Sequence, residues 1–267
     1  MMRINKELFF SIVLALIVLL GGCKSNEETQ QANPDERMKH VEEAFAEGNY
    51  LSAIEDLKVL TLQFQGSAFA DRAQFLMAEC RFLREEYITA AYEYELLIIT
   101  MPSSPYVPRA RFRRAMCYYY LSPSSNLDQE YSRKAIDEFQ AFIEYHPTDS
   151  LVTDAERRIV ELNMKIAEKE YKIGLHYLTL NYYRAAIVSF DYVLEKYHDT
   201  PFAEQARFKK AEAIYYRKKY VEAKAAFEQF LQKFPNSQLR KVAEEFISEI
   251  NRKIAQSSSE VPSEKKP

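Results

Sequence analysis

The stretch YVEAKAAFEQFLQKFPNS at residues 220–237 decides the fold. Its apolar and small residues recur at 220, 223, 227, 230 and 231, the spacing that places side chains on one face of an α-helix. Pro235 cannot continue that helix, and the Asn-Ser pair after it offers a turn and an N-cap for the next one. Residues 202–216 also carry apolar residues at helical spacing. Together the two segments predict a helical hairpin that ends at a proline.

This hairpin pattern recurs along the chain at intervals of 37 to 51 residues. In each copy a small residue is followed by bulky apolar side chains four and seven positions later. The small residues are Ala53, Ala90, Ala135, Ala186 and Ala223; the bulky ones are Leu57, Tyr94, Phe139, Phe190 and Phe227, then Leu60, Leu97, Phe142, Val193 and Phe230. Repeats of this length are typical of helical solenoids. The sequence therefore predicts an all-α fold, a right-handed α-solenoid of about five tetratricopeptide-like hairpins over residues 35–254.

Composition argues against most catalytic and nucleotide-dependent functions. The 267 residues include only five glycines, too few and too dispersed for a phosphate-binding loop or a dinucleotide fingerprint. The net charge of −3 lacks the positive excess that is typical of nucleic-acid-binding proteins. The four histidines and three cysteines show no metal-ligand spacing, and no nucleophile lies in a motif with a base. We expect no cofactor, no metal, no nucleic-acid partner and no enzyme activity.

Residues 1–22 read as a bacterial secretory signal peptide, with Arg3 and Lys6 before an apolar run of 13 residues. The run is short for a membrane span, although a plain signal peptide or a membrane anchor is the alternative. It ends at Leu20, Gly21, Gly22 and Cys23, which resemble the lipobox of bacterial lipoproteins. That resemblance implies cleavage before Cys23, a diacylglyceryl group on its sulfur and acylation of the new amino terminus. Two or more acyl chains give stable anchoring.

The segments on either side of the repeats are polar. Residues 23–34 are rich in Gln, Asn and Glu and predict a lipidated, flexible tether. Residues 255–267 are rich in Ser, Glu, Lys and Pro and predict a disordered tail. The remaining cysteines, Cys80 and Cys117, occupy the same position of adjacent first helices, too far apart for a disulfide. We expect both to be buried thiols.

The third and fourth repeats depart from the regular plan. Between Tyr120 and Ala135 lie several residues more than a hairpin turn needs, and the helix opening near Thr153 runs to about Leu180. Other first helices are nearer fifteen residues. Insertions in solenoids map to loops or to surfaces with a particular function.

The lipobox, the short tether, the five repeats and these two irregularities together resemble the BamD family of outer-membrane lipoproteins. Residues 106–112, 128–139, 145–150, 167–171 and 182–187 carry the resemblance, which covers about residues 20–250. It implies a scaffold of the outer-membrane β-barrel assembly machinery, anchored by lipid on the periplasmic face of the outer membrane. It further implies that residues 151–254 dock a BamA-like barrel subunit, beside other lipoproteins of the machinery. Residues 35–150 would receive the C-terminal strand of unfolded outer-membrane proteins.

Counting from the repeat alanines places a row of first-helix residues in a candidate peptide groove. They are Met38, Phe45, Arg72, Phe75, Phe82, Arg109, Phe112 and Tyr119. An aromatic groove with arginines at its rim suits an extended peptide that carries aromatics and a free carboxylate. The alternative is ordinary packing between repeats. The long helix of repeat four and the final helix, residues 239–254, are candidate surfaces for partner domains.

Two other functions fit the same architecture. A repeat lipoprotein can serve as an adaptor for secretin or pilus assembly or for cell-wall synthesis, and its co-purified partners would distinguish it. A lipoprotein hydrolase or enzyme accessory would need a catalytic constellation that the sequence does not offer.

Overall fold

The computed structural model describes residues 33–259, and this part of the chain contains eleven α-helices and no β-strand. Cys23 with its lipobox, the signal segment and nearly all of the tether lie outside the described residues. The helices are α1 Pro34–Ala46, α2 Tyr50–Gln63, α3 Ala70–Leu83, α4 Tyr87–Thr100, α5 Val107–Leu121, α6 Glu130–Tyr145, α7 Val152–Thr179, α8 Tyr183–Lys196, α9 Phe202–Tyr216, α10 Tyr220–Lys233 and α11 Arg240–Ser259. The prediction of an all-α fold is confirmed.

The chain divides after Gln65 into two compact units. The described part of the first unit is the single hairpin α1–α2. The second unit contains α3 to α11, in which each helix packs against the next along the chain. Its hairpins are α3–α4, α5–α6, α7–α8 and α9–α10, and α11 packs against α10.

The second helix of every hairpin buries the residues that the repeat pattern predicted. The five alanines at the repeat position are wholly inaccessible to solvent, and the bulky residues four and seven positions later are at most 1 % exposed. A small side chain allows two helices to approach closely, and the large ones fill the space on either side. The pattern at 220–237 therefore corresponds to buried core positions in the structure.

Each first helix of the second unit packs an aromatic ring against the second helix of its hairpin. Phe75 packs on Tyr94, Phe112 on Phe139, Tyr171 on Phe190 and Phe208 on Phe227, with ring centroids 6.0, 5.7, 5.9 and 5.5 Å apart. Aromatic pairs at such distances add about 0.5–1.5 kcal/mol each beyond the area they bury. This repeated pair links the two helices of each hairpin.

Four hairpin turns use a residue with positive φ. Gly48, Glu85, Asn181 and Lys218 have φ of 77°, 61°, 61° and 60°. A left-handed residue after a helix lets the following N–H groups return to the last carbonyls, as the N–H of Asn49 does to Ala44. The third hairpin replaces this turn with the loop 122–129, as the sequence predicted.

Helix α7 has 28 residues, whereas the first helices of the other hairpins have 13 to 15. The predicted long helix is therefore confirmed. Its first half packs towards α5, where Arg158 and Glu161 meet Tyr119. Its second half forms the hairpin with α8, where a Cβ atom on Gly174 would overlap the ring of Phe190. One helix thus serves two successive packing surfaces.

Helix α11 corrects one boundary of the sequence analysis. The tail was predicted to start at residue 255, but the helix continues to Ser259. Neither glycine nor proline occurs between Ile254 and Ser259, so no residue there interrupts the backbone hydrogen bonds of the helix. Residues 260–267 lie outside the described part of the chain.

Candidate binding surfaces

Four members of the predicted groove are buried and do not line an open surface. Met38, Phe75, Phe82 and Phe112 are 3 to 7 % exposed. Phe75 and Phe112 are the first-helix rings of the hairpin cores, and Phe82 meets Tyr87 edge to face across the turn at 5.5 Å. For these four residues the groove prediction is wrong, and ordinary packing within and between repeats is the correct interpretation.

The other four predicted groove residues reach solvent. Arg72 and Arg109 are exposed, while Phe45 and Tyr119 are half-buried. In the first unit, Phe45 packs edge to face against Tyr50 at the hairpin turn, 5.6 Å between ring centroids. In the second unit, the guanidinium of Arg109 lies 5.9 Å from the centroid of the Phe75 ring. Of the predicted groove aromatics, Phe75 therefore lies beneath an exposed arginine.

Two arginines that the sequence analysis did not select hold neighbouring first helices together. Arg113 on α5 lies over the ring of Phe82 on α3, and Arg158 on α7 lies over the ring of Tyr119 on α5, both at 4.6 Å. Cation–π contacts of this kind contribute about 0.5–1 kcal/mol at partly exposed sites. Neither pair follows from spacing within one repeat, because each contact depends on how successive first helices pack.

Arg113 also closes a buried polar cluster between α3, α4 and α5. Its Nε lies 2.9 Å from Glu79 Oε1 and its Nη2 donates to Glu79 Oε2 at 3.0 Å. Tyr94 donates its hydroxyl to the same carboxylate at 2.6 Å. Burial, together with the neighbouring Glu79 charge, raises the pKa of Tyr94 well above its ordinary value. Glu79 therefore has charged and neutral donors, as a buried carboxylate requires.

The loop 122–129 is fastened to α7 and α6 by side chains. Lys165 donates to Ser122 Oγ at 2.8 Å, and Lys172 donates to Asn126 Oδ1 at 3.1 Å. Gln129 is fully buried, donates to the Ser124 carbonyl at 2.8 Å and accepts from the Ser132 hydroxyl at 2.6 Å. The two irregularities of the sequence therefore form one structure.

Apolar side chains are exposed on the outer faces of two second helices. Ile88, Tyr92 and Ile99 share a face of α4, and Val188 and Tyr192 share a face of α8. Monomeric soluble proteins expose single apolar residues commonly, but rows on one helix face indicate contact surfaces. The face on α8 lies in the half predicted to dock partner domains.

The cysteine, histidine and acidic side chains of the described residues are dispersed or buried. No group of three or more His, Cys, Asp or Glu side chains between residues 33 and 259 is placed to hold a metal ion. Cys80 and Cys117 are free and buried, as predicted. Burial raises the pKa of Cys80 to about 12 and also raises that of Cys117. Both thiols therefore stay protonated and unreactive near neutral pH.

None of the described helices, α1 to α11, is both long and apolar enough to cross a bilayer.

Comparison with known proteins assigns the chain to a family. Residues 30–219 match the YfiO model, described as an outer membrane lipoprotein. The chain belongs to this outer membrane lipoprotein family. Residues 205–237 also match a tetratricopeptide repeat model, in agreement with the hairpin α9–α10.

A curated relative of this outer membrane lipoprotein family is the outer membrane protein assembly factor BamD of Rickettsia prowazekii. It is 26% identical over 243 residues, which cover 88% of this chain and 94% of the relative. The resemblance to the BamD family is therefore confirmed.

Solved structures with similar helical repeats include the TPR2AB-domain:pHSP90 complex of yeast Sti1, at 15% identity and a TM-score of 0.42 over 85% of this chain and 86% of that one. A tetratricopeptide repeat protein of Parabacteroides merdae has 16% identity and a TM-score of 0.36 over 85% and 75% of the two chains.

Proposed function

We propose that this protein is a non-catalytic scaffold of the machinery that assembles β-barrel proteins in the outer membrane. The observation that carries the proposal is the family match over residues 30–219, together with a relative named as an outer membrane protein assembly factor. The described residues 33–259 contribute no candidate metal site, and their buried polar clusters hold helices together. A stack of helical hairpins with several separate faces suits a protein that holds partners near one another.

Lipid anchoring is proposed from the amino-terminal sequence. Acylation at Cys23 would fix the chain to the outer membrane on its periplasmic side, with the tether of residues 23–34 as the spacer. Binding of one partner near the membrane would then raise the effective concentration of another.

The C-terminal half, residues 151–254, is proposed to dock the barrel subunit. The exposed apolar face of Val188 and Tyr192 on α8 supports this, because apolar side chains in the centre of an interface contribute most of its affinity. The N-terminal half, residues 35–150, is proposed to receive outer-membrane protein substrates. The exposed Arg72 and Arg109 are the predicted residues that can reach a peptide carboxylate.

A detergent pull-down of the full-length, acylated protein from its native membrane tests the scaffold role. We expect mass spectrometry to recover a large β-barrel protein with soluble periplasmic domains. Val188→Glu should reduce that recovery, whereas Leu62→Glu on α2 should not. The two side chains are a matched pair because they are 68 % and 73 % exposed and Leu62 lies outside both apolar rows. Recovery of secretin, pilus or cell-wall proteins in place of a barrel protein would refute the proposal.

Substrate binding has its own test. The Arg109→Gln variant should bind a C-terminal peptide of an outer-membrane protein more weakly, with the loss confined to peptides that have a free carboxylate. Arg133→Gln is the control, because Arg133 is an exposed arginine of the same half that lies on a second helix. Equal losses in both variants would indicate attraction to net charge only.

A further inference from the structure

A basic stripe runs along one face of α7 on the side of the loop 122–129. Lys165, Lys169, Lys172 and His176 follow one another at intervals of four, three and four residues, which places them on a single helix face. The chain as a whole carries a net charge of −3. A one-sided row of basic groups is therefore a local feature and not a consequence of composition.

The groups that face this stripe are mostly neutral oxygens. Lys165 meets Ser122, and Lys172 meets Ser125 at 3.4 Å and Asn126 at 3.1 Å. Burial without a carboxylate partner in hydrogen-bond contact lowers the pKa of Lys165. The acids nearby are Glu168, 2.7 Å from the Lys172 ammonium, the exposed loop residue Asp128, 3.9 Å from that of Lys169, and Glu161, whose charge acts on Lys165. Asp128 is the one carboxylate of the loop, so the loop neutralises the stripe only in part.

A cavity opens between the loop and the second half of α7. It is about 520 Å³ in volume and is lined by Ser125, Asn126, Lys169, Lys172, Ile173, His176, Tyr177 and Leu180. Carboxylates are absent from this lining. The lining combines basic and polar side chains with an apolar part formed by Ile173, Tyr177 and Leu180. The cavity can hold a negative group and an apolar group side by side.

We propose that this cavity is a docking site for an acidic peptide segment of a partner protein, in which a Glu or Asp side chain lies beside an aliphatic or aromatic residue. The acidic group would pair with Lys169 and Lys172, and the apolar residue would rest on Ile173 and Leu180. The Asn126 side chain offers the peptide backbone hydrogen bonds. The proposal goes beyond the proposed function and does not rest on it.

Two observations favour a peptide carboxylate over a phosphate group. Phosphate sites commonly present backbone N–H groups at a helix N-terminus or the fork of an arginine, and neither lines this cavity. In addition, a carboxylate of the same chain, that of Asp128, already approaches Lys169. The stripe thus already lies close to a carboxylate within the molecule.

Fluorescence anisotropy on the full-length, acylated protein in nonionic detergent tests the proposal. The probe is a short labelled peptide in which Glu alternates with Leu and Phe, with both ends blocked so that side chains carry all the negative charge. A matched peptide has Gln at every Glu position. We expect saturable binding of the acidic peptide that weakens as salt is raised, and no comparable binding of the Gln peptide.

The double variant Lys169→Gln, Lys172→Gln should weaken binding of the acidic peptide about tenfold, the factor that two surface ion pairs supply together. The control is Lys224→Gln, Lys233→Gln, which removes the same charge from α10. Because Lys172 also holds the loop, a second variant, Leu180→Ser, probes the apolar part of the lining at an exposed residue that follows α7. It should weaken binding of the Leu and Phe peptide without altering the salt dependence.

Equal affinity for the Glu and Gln peptides would overturn the proposal, as would full binding by both variants. Inorganic phosphate and vesicles of phosphatidylglycerol are the remaining probes. If either binds with the same lysine dependence while the acidic peptide does not, the cavity is a phosphate site and the proposal is wrong. None of these results alters the outcome of the pull-down from membranes.

Discussion

The hairpins α7–α8 and α9–α10 share a core plan but achieve it with different first helices. In α9–α10, Phe208 packs against Phe227 and Phe230, both at 5.5 Å, and α11 adds Phe246, stacked on Phe227 at 4.9 Å. In α7–α8, the half-buried Tyr171 stands in place of Phe208, and Gly174 stands where α9 has Ala211. The regular hairpin therefore relies on clustered rings, whereas the hairpin of the long helix relies on close backbone approach.

Large-to-small substitutions should separate the two hairpins most clearly. Both Phe190→Ala and Phe227→Ala should lower the free energy of unfolding by about 3–5 kcal/mol, with Phe227→Ala at the upper end because its ring has two aromatic neighbours. Urea unfolding followed by circular dichroism measures both. Equal losses would show that the additional ring from α11 contributes no stability.

Adding a methyl group tests the close approach of α7 to α8. Gly174→Ala places a Cβ against the Phe190 ring and should cost about 1–3 kcal/mol, less the gain in helix propensity of about 1 kcal/mol. Gly66→Ala is the control, since a Cβ there meets no atom within 4 Å. Combining Gly174→Ala with Phe190→Leu should recover part of the loss. A stabilising effect of Gly174→Ala alone would contradict the packing described here.

The loop that replaces the third turn should depend on its buried amide. Gln129→Ala removes the hydrogen bonds to Ser124, Leu127 and Ser132 and should cost about 1–3 kcal/mol, the usual penalty for leaving buried partners unpaired. Asn126→Ala, at an exposed residue of the same loop, should change stability by less than about 0.5 kcal/mol. Comparable losses for the two would indicate that the loop is held mainly through α7. Thermal unfolding of both variants gives the comparison.

The smallest effect concerns pH. Hydrogen bonds from Lys172 and Ser125 hold the pKa of the Glu168 carboxyl below its ordinary value. Because the folded pKa is lowered, this stabilisation is present above the ordinary carboxyl pKa and disappears as pH falls through the folded value. For an exposed pair it amounts to a few tenths of a kcal/mol. Glu168→Gln should therefore flatten the acid limb of the stability curve slightly, and an unchanged limb would argue against the Lys172 contact.

The helical architecture could be predicted because each hairpin repeats a local pattern. The five alanines and the bulky residues after them identified every second helix, and the extra residues between Tyr120 and Ala135 identified the loop. The length of α7 also followed, since no glycine pair or proline interrupts Val152–Thr179. Local spacing contains this information because helix formation and hairpin packing are local.

The binding surface was harder to predict because the same spacing describes two different faces. Phe75 and Phe112 recur at helical intervals whether they point at a groove or at Tyr94 and Phe139. Which helix face is covered depends on how successive hairpins pack, and the spacing of apolar residues in one sequence does not show that packing. The basic face of α7 was visible as residue types at 165, 169, 172 and 176, but its meaning depends on the loop that approaches it.

Helix α7 also sets an angular relation that its length alone does not reveal. Its two packing surfaces, around Arg158 towards α5 and around Gly174 towards α8, lie on one uninterrupted helix, and each residue of an α-helix advances about 100° around the axis. Inserting a single residue between them would turn α8 to α11 by that angle about α7, whereas inserting seven would nearly restore the original direction. The number of residues from Arg158 to Gly174 therefore fixes the rotation of α8 to α11 about the α7 axis. Substitutions in this stretch should be tolerated far more readily than insertions.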